Sequence, residues 1–296
     1  MKALSGLGVA MITPFNSKGA IDFVSLQHTT EHLINSGSCD FLVVLGTTAE
    51  TPTLSVDEQR GVLDFIIELN KGRLPIVVGL AGNNTLALCN RIKMFDFKGV
   101  DAVLSASPHY NKPSQKGIIE HFKSVAIASP KPVILYNVPS RTGSNMTAST
   151  TLELAHISNI CAIKEASGDL SQVDEILNNK PDGFQVFSGD DALTLAMISS
   201  GADGVISVIG NALPKIFGKM TQQALFGQVT DARITHLNLA EIINTIFEEG
   251  NPVGVKAVMQ HLGLCEDAVR LPLIPATKEH KAKLYKLLAK LDVELA

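Results

Sequence analysis

The chain has 296 residues, of which 45% are hydrophobic and 18% charged, and its formal net charge is −4. That balance excludes a disordered chain, which carries fewer apolar and more charged side chains. It also excludes sequence-independent nucleic-acid binding, which needs clustered basic charge.

From the N-terminus, a β-branched run at 8–13 is closed by Pro14. The stretch before Pro14 is too short and interrupted for a signal peptide. Asp22 is placed to cap a helix over 23–36, with Phe23, Leu26, Leu33 and Ile34 on one face and Gly37 at its end. A second apolar run covers 41–45. Ser55 and Glu58 then form a capping box ahead of Val62, Phe65, Ile66 and Leu69, and Gly72 ends that helix. Further runs at 75–80, 101–106, 132–137, 160–165, 184–189 and 204–209 alternate with helical segments, and Gly99 and Gly201 stand at helix ends. Asp190 and Asp191 read as N-terminal caps of the helix after the seventh run.

The eight runs are too continuously apolar for half-exposed antiparallel strands and read as a parallel sheet buried on both faces. Eight β-then-α units predict a closed (β/α)8 barrel, with a doubly wound open sheet as the alternative. The length of ~150 residues per domain would suggest two domains, but α/β barrels are the exception to that prior. We therefore expect a barrel over residues 1–225 and a helical appendage over 226–296. The appendage ends in an amphipathic helix with Leu284, Leu287, Leu288 and Leu291 on one face. No apolar run approaches the ~18 residues of a membrane span. Cys39, Cys89, Cys161 and Cys265 form no CxxC pair and read as free thiols, so a cytoplasmic location is expected.

In such a barrel the chemistry sits at the C-terminal ends of the strands. Lys164 lies at the rim of the apolar strand 160–165. Burial disfavours an ammonium, which leaves a neutral amine able to attack a ketone. The alternative is a lysine tied to a barrel carboxylate. Glu165, its alternating neighbour, points the other way. Tyr136 ends the adjacent strand, within reach as a general acid or base, or else as a core tyrosine. Arg141, five residues on, offers a fork suited to a carboxylate, or else a loop salt bridge. Gly46-Thr47-Thr48 supplies two hydroxyls and backbone N–H groups for a small carboxylate. No phosphate-binding or dinucleotide fingerprint is present. His28 and His32 share a helix face without a third ligand, and no convergent metal cluster is found.

Six segments carry a family resemblance. They are Gly46-Thr47-Thr48-Ala49-Glu50, Pro108-His109-Tyr110-Asn111-Lys112-Pro113-Ser114-Gln115, Tyr136-Asn137-Val138-Pro139-Ser140-Arg141-Thr142-Gly143, Ile163-Lys164-Glu165-Ala166, Ser188-Gly189-Asp190-Asp191 and Gly204-Val205-Ile206-Ser207. In order and position they resemble the dihydrodipicolinate synthase family of pyruvate-dependent class I aldolases, over essentially the whole chain. The resemblance implies that Lys164 forms a Schiff base with pyruvate and that Thr47 and Thr48 hold its carboxylate. It implies a proton relay of Tyr136, Thr48 and Tyr110, with Tyr110 entering the neighbouring subunit's site in a tetramer built as a dimer of dimers. Arg141 would bind the carboxylate of L-aspartate 4-semialdehyde, and Gly189 and Ile206 would line the pocket through their backbones. The iminium acts as the electron sink, so no metal or organic cofactor is expected. The implied reaction belongs to the diaminopimelate route to lysine. N-acetylneuraminate lyase and the keto-deoxy-sugar-acid aldolases share the lysine, but generally lack the Ser-Arg-Thr-Gly that contains Arg141.

Two departures stand out: Ala49 in place of a usual Gly, and His109 in place of a frequent second Tyr. Feedback-inhibited members bind lysine through a His and a Glu. The corresponding regions here hold Val56, Gln59 and Ala87. With no carboxylate for the lysine ammonium, weak or absent lysine inhibition is expected.

Overall fold

The computed structural model describes residues 4–291; residues 1–3 and 292–296, which the expected barrel and appendage also span, lie outside the described residues. Eight parallel strands close into a barrel in sequence order. Strand β1 (Gly6–Ala10) is followed by helix α1 (Phe23–Asn35), β2 (Phe41–Val44) by α2 (Val56–Asn70), β3 (Ile76–Gly79) by α3 (Thr85–Met94) and β4 (Ala102–Ala106) by α4 (Gln115–Ala128). Strand β5 (Val133–Asn137) leads into a short helix α5 (Pro139–Thr142) and then α6 (Ala148–Ala155). After β6 (Ile160–Glu165), α7 (Leu170–Asn179), β7 (Gln185–Ser188), α8 (Thr194–Ser199) and β8 (Gly204–Ser207), the chain continues as α9 (Pro214–Leu225), α10 (Val229–Thr245), α11 (Val253–His261) and α12 (Lys278–Lys290). Pairing of β1 with β8 closes the barrel, so the open-sheet alternative is excluded.

The capping chemistry works as the sequence implies at two helices. The Asp22 carboxylate accepts from the backbone N–H groups of Val24 and Ser25, and Ser55 and Glu58 form a reciprocal capping box. Asp191 behaves differently. It is buried and accepts from the N–H groups of Val208 (3.1 Å) and Ile209 (2.8 Å), across the barrel rim. Helix α8 begins only at Thr194, with no side-chain cap. Asp191 thus holds the turn after β8, and this turn is why β8 stops at Ser207 and not at residue 209.

Alternation along the strands separates two layers of side chains. Phe41, Val43, Ile134, Tyr136, Ala162 and Phe187 pack inside the barrel, while Leu42, Val44, Leu135 and Ile163 face the helices. The inner layer depends on an aromatic pair, Phe41 and Phe187, edge-to-face at 5.6 Å. Gly8 makes room for it: a Cβ there would lie 2.2 Å from the Phe41 ring. Helices α10–α12 pack against α8, α9 and the turn after β8, so they sit over one side of the barrel mouth. Among the described residues no helix is long and apolar enough to cross a membrane. The four cysteines are free thiols, three of them buried.

Candidate active site

A cavity of about 330 Å³ opens at the C-terminal ends of the strands. Its wall includes Thr47, Thr48, Tyr136, Arg141, Lys164 and Gly189. Register places two of these side by side, because Tyr136 pairs directly with Lys164 between β5 and β6. Lys164 Nζ lies 4.5 Å from the centroid of the Tyr136 ring. Lys164 is only 4% exposed, and among the described residues no carboxylate pairs with it. The reading of Lys164 as half of a barrel ion pair is therefore excluded.

Gly189 sets the shape of the lysine's channel. A Cβ at that position would lie 3.0 Å from Lys164 Cε and 2.7 Å from Ala166 Cβ. Its backbone N–H donates to Glu165 O at 2.8 Å, which ties the end of β7 to β6.

The residues that alternate with Tyr136 and Lys164 form a polar lock behind the wall. Asn137 donates to Glu165 at 3.0 Å, Ser167 N–H donates to the same carboxylate at 2.6 Å, and Gln172 of α7 donates at 3.1 Å. Burial pushes the Glu165 carboxyl above the ordinary carboxylate range, against these hydrogen bonds, which lower it. Glu165 indeed faces away from Lys164, towards α7.

Thr47 and Thr48 occupy a tight 3₁₀ turn directly after β2. Thr48 is 2% exposed, whereas Thr47 faces the opening. Ala49 fits here because its backbone is right-handed helical; the left-handed position falls on Glu50, at φ 53°. The departure from glycine at residue 49 therefore carries no backbone strain.

Arg141 projects from the short helix α5, which Gly143 ends at φ 80°. Arg141 is exposed and lines the cavity. Among the described residues it has no ion-pair partner, so the loop salt-bridge reading is excluded and the guanidinium is left for a ligand.

Two of the sequence-derived residues lie elsewhere. Tyr110 is 86% exposed and does not line the cavity. Its backbone is left-handed, at φ 74°, and its N–H is held by Thr142 O at 3.1 Å. Ile206 belongs to the inner layer beneath the floor, and Val208, two residues on, lines the cavity. Sequence reasoning missed a third group. Ile243, Asn244, Phe247 and Asn251 come from the helical region and complete the wall. Asn251 Nδ2 donates to Thr48 Oγ1 at 3.1 Å. No local motif marks these residues, because they reach the cavity only through packing of α10 and α11 across the barrel mouth.

His28 and His32 give no metal centre, and among the described residues no group of three or more His, Cys, Asp or Glu is gathered to hold an ion.

The family model described as the dihydrodipicolinate synthetase family matches residues 3–291. A 4-hydroxy-tetrahydrodipicolinate synthase from Azobacteroides pseudotrichonymphae is 51% identical, with 96% of each chain covered. One from Phocaeicola vulgatus is 49% identical, with 98% of each covered. The dihydrodipicolinate synthase of Acinetobacter baumannii, solved with pyruvate, superposes with a TM-score of 0.94 at 35% identity, covering 97% of this chain and 99% of that one.

Proposed function

The chain belongs to the dihydrodipicolinate synthetase family, and on that premise we propose that its cavity holds pyruvate as an imine on Lys164 and condenses it with L-aspartate 4-semialdehyde. The activity is that of a 4-hydroxy-tetrahydrodipicolinate synthase, a lyase of the diaminopimelate route to lysine, and not that of a sugar-acid aldolase.

One observation carries the assignment of roles. A buried lysine without a carboxylate partner and an arginine without an ion-pair partner, among the described residues, share one cavity. The lysine amine attacks the ketone carbon of pyruvate, and loss of water from the carbinolamine gives the imine. Tyr136, next to Lys164, moves the protons these steps require. Thr47 and Thr48 hold the pyruvate carboxylate through hydroxyl and backbone donors. Removal of a C3 proton yields the enamine, whose carbon attacks the aldehyde. Arg141 at the rim orients the second substrate by a charge-assisted fork on its carboxylate. Intramolecular attack by the substrate's amine on the imine then frees Lys164 and closes the ring. The iminium supplies the electron sink, so the scheme uses no metal or organic cofactor.

Tyr110 enters this scheme only through a second subunit. Its exposure and its place outside the lining of its own cavity support a homo-oligomer, proposed as a tetramer of two dimers, in which Tyr110 completes a neighbour's relay. Free thiols and the biosynthetic role support a cytoplasmic location.

The test is borohydride reduction in the presence of pyruvate, followed by peptide mass mapping. A carboxyethyl adduct is expected on Lys164 and none in Lys164→Ala. An unmodified wild type, or an adduct that survives the substitution, overturns the imine. In a coupled assay, turnover is expected with aspartate semialdehyde and not with keto-sugar aldehydes.

A further inference from the structure

The helical region does more than cover the barrel. Asn251 lies between α10 and α11 and is about nine-tenths buried, at 9% exposure. Its Nδ2 donates to Thr48 Oγ1 at 3.1 Å, and its Oδ1 has no partner among the described residues. Among the described residues its one side-chain hydrogen bond goes to a hydroxyl in the cavity wall.

The surrounding chain is built to bring it there. A Cβ at Gly254 would lie 2.1 Å from Ile246 O, so only glycine lets α11 turn back this closely on α10. Lys256 of α11 donates to Glu50 at 2.6 Å and to Ala268 O at 2.8 Å. Glu50 also accepts from Arg270 N–H at 2.9 Å. Both partners of the Lys256–Glu50 pair are essentially without solvent. Glu50 stands two residues after Thr48, so the same turn is anchored to the helical region at two points.

A threonine hydroxyl has one proton and two acceptor sites. With an amide N–H donating to its oxygen, Thr48 is left to donate its own proton into the cavity. We propose that Asn251 is a positioning residue that sets the donor direction of Thr48. This rests on the reading of Thr48 as a proton carrier. The helical region thereby orients a component of the proton relay.

The experiment compares wild type, Asn251→Asp, Asn251→Ala, Thr48→Val and the Asn251→Asp/Thr48→Val double variant, with kcat, pyruvate KM and the borohydride-trapped fraction measured for each. Aspartate is nearly isosteric but only accepts, so it draws the Thr48 proton backwards. The expected loss in kcat for Asn251→Asp is about tenfold, exceeding that of Asn251→Ala, with a smaller rise in pyruvate KM because Thr47 and the backbone N–H groups still hold the carboxylate. In the Thr48→Val background, Asn251→Asp adds no further loss. If Asn251→Ala melts well below wild type, the isosteric Asn251→Asp carries the comparison. Wild-type kcat in Asn251→Asp, or a loss that persists in full without the Thr48 hydroxyl, overturns the proposal. A wild type that traps no pyruvate overturns the functional reading itself, which separates the two failures.

Discussion

Gly189→Ala tests how tightly the lysine is held. The added Cβ would meet Ala166 Cβ at 2.7 Å, Lys164 Cε at 3.0 Å and Lys164 Cγ at 3.1 Å. Carbon atoms are comfortable at roughly 3.5–4.0 Å, so about 0.5–1 Å must be recovered somewhere. Ala166 cannot yield readily, because its N–H is bonded to Asn137 O at 2.9 Å. The backbone of residue 189 is itself pinned to Glu165 O. The lysine stem is the movable part, and it will carry Nζ away from its place beside Tyr136. A misplacement of about 1 Å at a reacting group costs roughly 10²-fold in rate. Overpacking adds a stability loss of about 1–3 kcal/mol. The measurements are kcat in the coupled assay, the rate of borohydride trapping at Lys164, and thermal melting. We expect kcat and trapping to fall together while the protein remains folded. A kcat within about twofold of wild type would refute the claim that the channel beside Gly189 fixes the lysine.

Acid stability is expected to depend on His121. Burial pushes its imidazole down to about 4, and Nδ1 lies 2.9 Å from Thr85 Oγ1. The folded pKa is below that of an unfolded histidine, ~6.5, so protonation favours unfolding. This contribution is complete above that value and is lost as pH falls towards 4, by up to about 3 kcal/mol. His121→Leu should therefore flatten the acid limb of a denaturation-midpoint profile between those pH values; an unchanged slope would contradict it. Lys256→Met leaves Glu50 buried without its cation and should cost about 3–5 kcal/mol in chemical denaturation. Lys256→Met with Glu50→Leu should recover part of that loss, and no recovery would argue against an ionised pair. Sub-millimolar L-lysine is expected to leave the coupled rate unchanged. Val56 is 74% exposed at the start of α2, Ala87 is exposed, and Gln59 is already occupied by Leu54 O (2.9 Å) and Arg91. Strong inhibition at that concentration would overturn this expectation.

Legibility in the sequence follows the range of the interaction. The barrel was readable because each strand is apolar on both faces and several helices carry their own caps, as at Asp22, Ser55 and Glu58. Lys164, Tyr136 and Arg141 were readable for a related reason. A strand-end position is local information, and the barrel converts it into a common mouth. Asp191 misled because a capping residue can serve any nearby free N–H group, and the turn after β8 offered two that were buried.

The unread part of the site has a different physical origin. Asn251 lies 203 positions from Thr48 in the chain, and Lys256 lies 206 from Glu50. Neither has a sequence neighbour that announces a role, and Lys256 sits in a helix whose residues 253–259 are all buried. Lys256 is 0% exposed, and its Nζ is 4.3 Å from the centroid of the Phe15 ring. Burying this ammonium is tolerable only because Glu50, the Phe15 ring and Ala268 O meet it together. Such a set is assembled by closure of the tertiary fold and exists in no single segment. It follows that the boundary expected near residue 225 separates two lengths of chain but not two functions, since the cavity is incomplete without residues 243–251. Cutting the chain after α9 would remove Asn251 from Thr48 and leave Glu50 as an unpaired carboxylate beside the site.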